Sequence, residues 1–248
     1  MLTAAWATIT IALALQTPAP QKPAPDPASW PDDKPFTQLL PNLWTDLQAL
    51  PTKDNAVIAA IGSIVTASVH PGDDNAAEWA KNGGDSGLAS LGNVIGDGWF
   101  QASGAVATYA IGRLSHEPRV THVGSDLVRG QILNALLTSA IKVTVDRTRP
   151  SGGHYSFPSG HSSATFTSAA ILESHFGWKV GAPAYAVGAF VSWSRVRDSA
   201  HWISDTVAGA TLGIIVGETI TRGHRERDWH VVPTKTPGGF AVFVTRVK

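Results

Sequence analysis

The residues of this chain best equipped for chemistry gather between Lys142 and Asp205 in three short clusters. In the first, Lys142-Val143-Thr144-Val145-Asp146-Arg147-Thr148-Arg149-Pro150, Lys142 and Arg149 are separated by two helical turns to within about 20°. Both cations project from one face if the helix read from Val120 persists to Thr148 and stops at Pro150. A planar guanidinium fork beside a mobile ammonium suits a phosphate. In the second, Phe157-Pro158-Ser159-Gly160-His161, Ser159 reads as the N-cap of a helix from His161 to His175. Free amides and the positive dipole end make that point an anion site, Gly160 lets the backbone come close, and His161 stands beside the anion. In the third, running from Ser194 to Asp205, His201 and Asp205 are spaced for contact on one helical face. A carboxylate that fixes an imidazole's tautomer leaves the other ring nitrogen free as a nucleophile.

The order Lys-x6-Arg-Pro, Pro-Ser-Gly-His and Ser-Arg-x5-His-x3-Asp within residues 142–205 resembles the signature of the type 2 phosphatidic acid phosphatase (PAP2) superfamily, which includes bacterial class A acid phosphatases and vanadium haloperoxidases. The resemblance runs from the helix before Lys142 to the one after Asp205 and says little about either end. It implies that His201 attacks phosphorus to form a phosphohistidine while Asp205 orients it. His161 would protonate the leaving oxygen and later activate water. Lys142, Arg149 and Arg195, with Ser159 and the Gly160 amide, would bind the equatorial oxygens, which is what phosphoryl transfer demands. The implied activity is a metal-independent phosphatase acting on phosphate monoesters, lipid phosphates and isoprenyl diphosphates among them. The substrate is then a phosphorylated small molecule or a lipid, met in the second case at a membrane surface. No cofactor is expected, and vanadate is expected as an inhibitor. Two alternatives remain: a vanadium haloperoxidase, with vanadate as cofactor on His201, and an anion-binding protein that lost its chemistry.

Other residues near the motifs carry plainer readings. Arg147 and Arg197 fall outside the pattern and read as solvated charges paired with Asp146 and Asp198. His154 either reaches the pocket or is an ordinary loop histidine. His116, His122 and His175 lack metal-ligand spacing, and no metal site is assigned.

These clusters need elements to hold them. The 248 residues are 43% hydrophobic, enough for one domain with a sizeable core. Lysines and arginines balance aspartates and glutamates at 19 each, which offers no footprint for nucleic acid. Cysteine is absent, so disulfides and thiolate metal sites are excluded. Residues 1–16, with an apolar stretch ending at Ala14, read as a signal peptide or N-terminal anchor, and export to the periplasm or medium follows. Residues 17–35 carry seven of the chain's prolines and read as a linker, leaving 36–248 as the phosphatase-like domain.

Helical patterns run over 36–50 (interrupted at Pro41), 55–68, 87–95, 99–114, 120–148, 161–175, 180–196 and 199–221, so the fold class is an all-α bundle. Pro71 to Asn75 reads as a turn. The stretches Asn55–Gly72, Gly98–Gly112 and Val180–Ser194 are short for bilayer spans and read as buried helices of a soluble bundle. Gly209, Gly213 and Gly217 line one face and predict close helix packing. At the C-terminus, Trp229–Pro233 and Phe240–Val244 flank a turn and predict a β-hairpin.

Overall fold

A computed structural model of the chain describes residues 36–82, 87–222, 229–236 and 239–246. The expected leader at 1–16 and linker at 17–35 lie outside the described residues.

The helical unit contains α1 (Leu39–Gln48), α2 (Lys53–Val69), α3 (Asp73–Asn82), α4 (Gly87–Gly96), α5 (Gly98–Ser115), α6 (Pro118–Val145), α7 (Gly160–Phe176), α8 (Trp178–Arg197) and α9 (Ile203–Ile220). Pro41 does not interrupt α1 but sits in its first turn, where its missing N–H has no intrahelical partner to lose. Thr52 caps α2 by accepting from the Asn55 amide at 3.3 Å. Asp97 caps α5 by accepting from the Trp99 and Phe100 amides.

α7 forms the spine. α6 and α8 run antiparallel to it, with Gln131 Nε2 of α6 donating to the Ala164 carbonyl at 3.0 Å and Ser192 of α8 donating to Ser162 at 2.9 Å. α9 runs parallel to α7, and its glycine stripe is the reason it can. A Cβ on Gly209 would lie 2.4 Å from the Ser159 carbonyl oxygen, and one on Gly213 would lie 2.3 Å from that of Ser163. α2 packs antiparallel on the outside of α9, where Asn55 Nδ2 donates to Thr219 at 2.8 Å. Deep in the bundle, Arg129 is paired with Asp46 of α1 and with Asp126, which also meets His175 Nε2 at 2.9 Å. Buried charges persist when compensated in this way.

Four expectations are corrected. Asp73 and Asp74, read as part of a turn, open a helix: two carboxylates in a first turn favour the dipole's positive end. α6 ends at Val145, not Thr148, because Asp146 takes the left-handed conformation (φ 42°) as C-cap. Lys142 and Arg149 therefore do not share a helical face. α9 begins at Ile203, so His201 lies in the loop before it. Finally, the apolar helices are not buried. Their large side chains point outward, among them Ile64 of α2, Leu91 of α4, Leu114 of α5 at 80% exposure and Val187 of α8. The interior combines an aliphatic cluster around Leu127, Leu133, Ile171, Val216 and Ile220 with a polar seam in which Ser162, Ser163, Thr167, Ser194 and Asp205 are fully enclosed.

The C-terminal unit is the expected hairpin. β1 (Trp229–Thr236) pairs antiparallel with β2 (Gly239–Arg246), Trp229 opposite Arg246 and Thr236 opposite Gly239, so the strands run further toward each other than the pattern indicated.

Close packing of α9 on α7 sets a stability test. Gly213→Val should lower stability by about 1–3 kcal/mol through overpacking. Gly104→Ala, on a face of α5 with nothing within 4 Å, should be neutral or gain a few tenths. Thermal unfolding of both variants reads the difference.

Candidate active site

Four helix ends meet at one end of the bundle: the C-termini of α6 and α8 and the N-termini of α7 and α9. They deliver Lys142, Arg195, His161 and Asp205 respectively, and the loops before α7 and α9 add Arg149 and His201. The weld between the two N-termini is direct, since the Ser159 amide donates to the Asp205 carbonyl at 2.9 Å. Loop joins loop as well. Ser151 N donates to the Ser199 carbonyl at 3.1 Å, and the Trp202 indole donates to the Thr148 carbonyl at 2.8 Å.

Asp205 is wholly enclosed and His201 nearly so, at 3% exposure. The His201 Nδ1 stands 3.7 Å from Asp205 Oδ2, beyond hydrogen-bond length but close enough to be oriented by it. The carboxylate's nearer partners are other groups. Ser156 Oγ donates to Oδ2, the Trp202 amide donates to Oδ2 at 2.9 Å, and Arg147 Nη1 donates to Oδ1 at 2.6 Å. With Nδ1 facing this anion, Nε2 is the ring nitrogen left for chemistry. Burial holds the His201 imidazole below its usual pKa, with Asp205 opposing and the Lys142 and Arg149 cations adding to the effect.

Around His201 the cations converge. Lys142 lies within electrostatic reach of Arg149, Asp205 and Arg195, so the Lys142/Arg149 proximity inferred from spacing is real although its helical reason was not. In this state Lys142 Nζ donates to the Tyr155 carbonyl at 2.6 Å and Arg149 Nε to the His154 carbonyl at 3.0 Å. Arg195 is buried; its Nη1 donates to Asn93 Oδ1 at 2.6 Å and to Asp198 at 3.3 Å, while its buried Nε–H has no hydrogen-bond partner among the described residues. His161 opens α7 beside Arg195 and His201, against the Asn93 backbone and Gly96 of α4. Ser159 is the N-cap of α7 and its hydroxyl turns inward, accepting from Ser162 Oγ at 3.2 Å. Gly160 faces Lys142: a Cβ built there would lie 3.8 Å from the Lys142 Cε. Three cations, a helix N-terminus and two imidazoles thus surround one small region, an arrangement that can bind a tetrahedral oxyanion and transfer a group to nitrogen.

His154, left open between pocket and loop, is exposed and pairs with Asp146 at 3.1 Å. Of the two arginines read as solvated charges, neither pairs as expected. Arg147 is bound to Asp205 and Asp73 instead of Asp146. Arg197 leaves Asp198 to Arg195 and instead donates to the Ala80 carbonyl at 2.7 Å, its guanidinium over the Trp79 ring. The sequence reading also missed Ser156, Asn93 and Asp73. Ser156 abuts the Pro-Ser-Gly-His motif and was findable, whereas Asn93 and Asp73 lie far away in the chain with no local signal. No group of three His, Asp or Glu side chains among the described residues is arranged to hold a metal ion.

Comparisons with known proteins find similar chains. The model of the PAP2 superfamily matches residues 151–229. The chain is 30% identical over 153 residues to a lipid A 1-phosphatase of Porphyromonas gingivalis, covering 59% of this chain and 33% of that protein. It is 30% identical over 119 residues to a lipid A 4'-phosphatase of the same organism, covering 40% and 49%. The chain thus spans a third to a half of the length of these curated relatives. In structure it is similar to a transmembrane PAP2 type phosphatidylglycerolphosphate phosphatase from Bacillus subtilis, with a TM-score of 0.52 and 19% identity over 69% of this chain and 96% of that one. That likeness establishes the helical fold.

The cation cluster predicts anion binding. Inorganic phosphate, titrated by calorimetry, should bind about tenfold or more weakly to Arg195→Ala, the loss expected for one charged hydrogen bond. Arg197→Ala, held away on Trp79, should bind like the parent; equal affinity in all three proteins would remove Arg195 from the site.

Proposed function

We propose that this chain, whose residues 151–229 match the model of the PAP2 superfamily, is a member of it and a membrane-embedded phosphatase that hydrolyses lipid phosphate monoesters through a phosphohistidine at His201. The observation that carries the chemistry is the buried His201–Asp205 pair ringed by Lys142, Arg149, Arg195 and the N-terminus of α7. Phosphoryl transfer asks for a nucleophile, an in-line acid and fixed positive charge on the equatorial oxygens, and each has a counterpart here.

In the first half-reaction Nε2 of His201 attacks phosphorus, the P–O ester bond breaks, and the departing oxygen takes a proton from His161. In the second, His161 accepts a proton from water, the hydroxide oxygen bonds to phosphorus, and the P–N bond breaks to return His201. Lys142, Arg149 and Arg195 contribute the positive charge that a metal ion contributes in other phosphatases, so the reaction runs without one.

The bundle's surface supports a lipid substrate. α2, α5, α8 and α9 contain 17, 18, 20 and 18 residues, or about 25–30 Å of helix, close to the thickness of a bilayer's hydrocarbon core. The α2–α3 stretch and α9 are apolar enough to cross it. Exposed Trp99 and Trp193 stand near the site end and Trp44 and Trp178 near the other, the distribution of aromatic belts at two membrane interfaces. Many Leu, Ile and Val side chains lie outside between them, while buried Ser, Thr and ion pairs join an aliphatic cluster inside, a pattern a lipid solvent accommodates. The site lies at one end of the bundle, where four helix ends meet, as a substrate phosphate at a membrane interface would require.

Two measurements test this proposal. In detergent mixed micelles, phosphate release from phosphatidic acid should exceed that from glycerol 3-phosphate by about 10²-fold in kcat/KM, since binding of the chains away from the reacting group lowers the barrier. His201→Ala should abolish release, and EDTA should leave the parent's rate intact; preference for the soluble ester would contradict the membrane reading. The pH profile should carry its acidic limb below 6.5, because attack needs neutral His201 and burial lowers that pKa. A limb above 6.5 would argue that another group limits the rate.

A further inference from the structure

We infer that Arg147 and Asp73 are positioning residues for the His201–Asp205 pair, forming with Asp205 a chain of alternating charge that holds the carboxylate in its orienting place. The inference rests on the phosphatase reading for its kinetic readout, though not for its geometry. Asp205 is fully buried, and a buried carboxylate must be compensated. The Arg147 guanidinium does this and is shared: Nη1 donates to Asp205 Oδ1 at 2.6 Å and Nη2 donates to Asp73 Oδ2 at 2.8 Å. Only a planar fork can bridge two carboxylates this way. The Trp202 ring lies 5.3 Å from its Cζ, and Arg147 Nη1 also donates to Ser204 Oγ at 2.8 Å.

Asp73 completes the chain from a helix the motifs do not include. It accepts from the Ser204 amide at 3.0 Å and from Ser204 Oγ at 2.6 Å, so this residue of α3 caps the N-terminus of α9 from outside. His70, largely exposed, meets the same carboxylate at 2.7 Å. The other end of α3 is tied to α8, where Arg197 reaches the Ala80 carbonyl and Trp79. α3 thus braces the segment 198–204 that carries His201.

The chain also sets how much negative charge Asp205 presents to the imidazole. Arg147 draws on that charge, and Asp73 draws on Arg147. The other groups facing His201 are Lys142 of α6, Arg149 and the Ser156 hydroxyl of the preceding loop, His161 of α7 and Arg195 of α8. None of these changes when Arg147 or Asp73 is substituted. Losing Arg147 leaves Asp205 more strongly negative toward His201, which favours imidazolium. Losing the Asp73 charge lets Arg147 act fully on Asp205, which disfavours imidazolium. The two substitutions must therefore move His201 in opposite directions, an outcome a merely structural role does not produce.

The test uses the full chain in detergent micelles with Arg147→Met, Arg147→Lys and Asp73→Asn. The readouts are kcat and KM on phosphatidic acid, the pH profile, and the His201 ring titration by 15N NMR. Arg147→Met should lower kcat about 10–100-fold, as small misplacements of reacting groups do, with KM within a few-fold. Its acidic limb and ring titration should move to higher pH, and Arg147→Lys should recover part of both. Asp73→Asn should move them to lower pH, and it decides the matter alone if Arg147→Met does not fold. An unchanged ring titration in the folded variants, or a shift of both in one direction, would overturn the inference. Ring shifts of the expected signs in a protein without His201-dependent turnover would keep the inference and sink the phosphatase reading.

Discussion

A carboxylate sealed inside a helical bundle dictates most of this structure. Asp205 is removed from water, and in that setting an ionised oxygen without partners costs several kcal/mol. Its partners come from every direction in the chain: Ser156 from the loop before α7, the Trp202 amide from the turn before α9, and Arg147 from the turn after α6. Arg147 in turn requires Asp73. Satisfying one anion fixes where α6 ends, how the loop 146–159 folds and where His201 points. The motif residues are close in space because the polar network around Asp205 leaves them few other places to be.

The second constraint is the inversion of the usual burial pattern. Glycines in α9 bring it against the α7 backbone, and serines and threonines fill a tight polar seam beside the aliphatic cluster of Leu133, Ile171 and Val216. Many large aliphatic and aromatic side chains go outward. In water such a surface would drive association; in a bilayer it is the solvated face, and the polar interior is what holds the helices together. Under the proposed membrane reading the two constraints support each other, because a low-dielectric surround would strengthen every interaction among the buried charges.

Much of this was legible in the sequence. The three motifs, the helix after Ser159, the glycine stripe and the terminal hairpin each rest on local chemistry that a reader can see. Two positions came out near the expected partners for the wrong reason. Lys142 and Arg149 were joined by helical periodicity and are joined instead by a left-handed cap at Asp146. His201 and Asp205 were joined as a helical pair and meet across the N-cap of α9. The shortness of the apolar stretches suggested buried helices, but length and composition cannot say which face of a helix is turned outward. Asp73 and Asn93 were invisible because their partners lie far along the chain, and only folding brings them together.

The central claim is covalent attack by His201 on phosphorus, and trapping the intermediate addresses it most directly. The protein would be mixed with 32P-labelled phosphatidic acid for milliseconds and quenched in alkali, where a phosphorus–nitrogen bond survives. The account predicts label on a single peptide containing His201, lost in acid and absent from His201→Ala. Label on another residue, or undiminished turnover in His201→Ala with no trapped adduct, would contradict it.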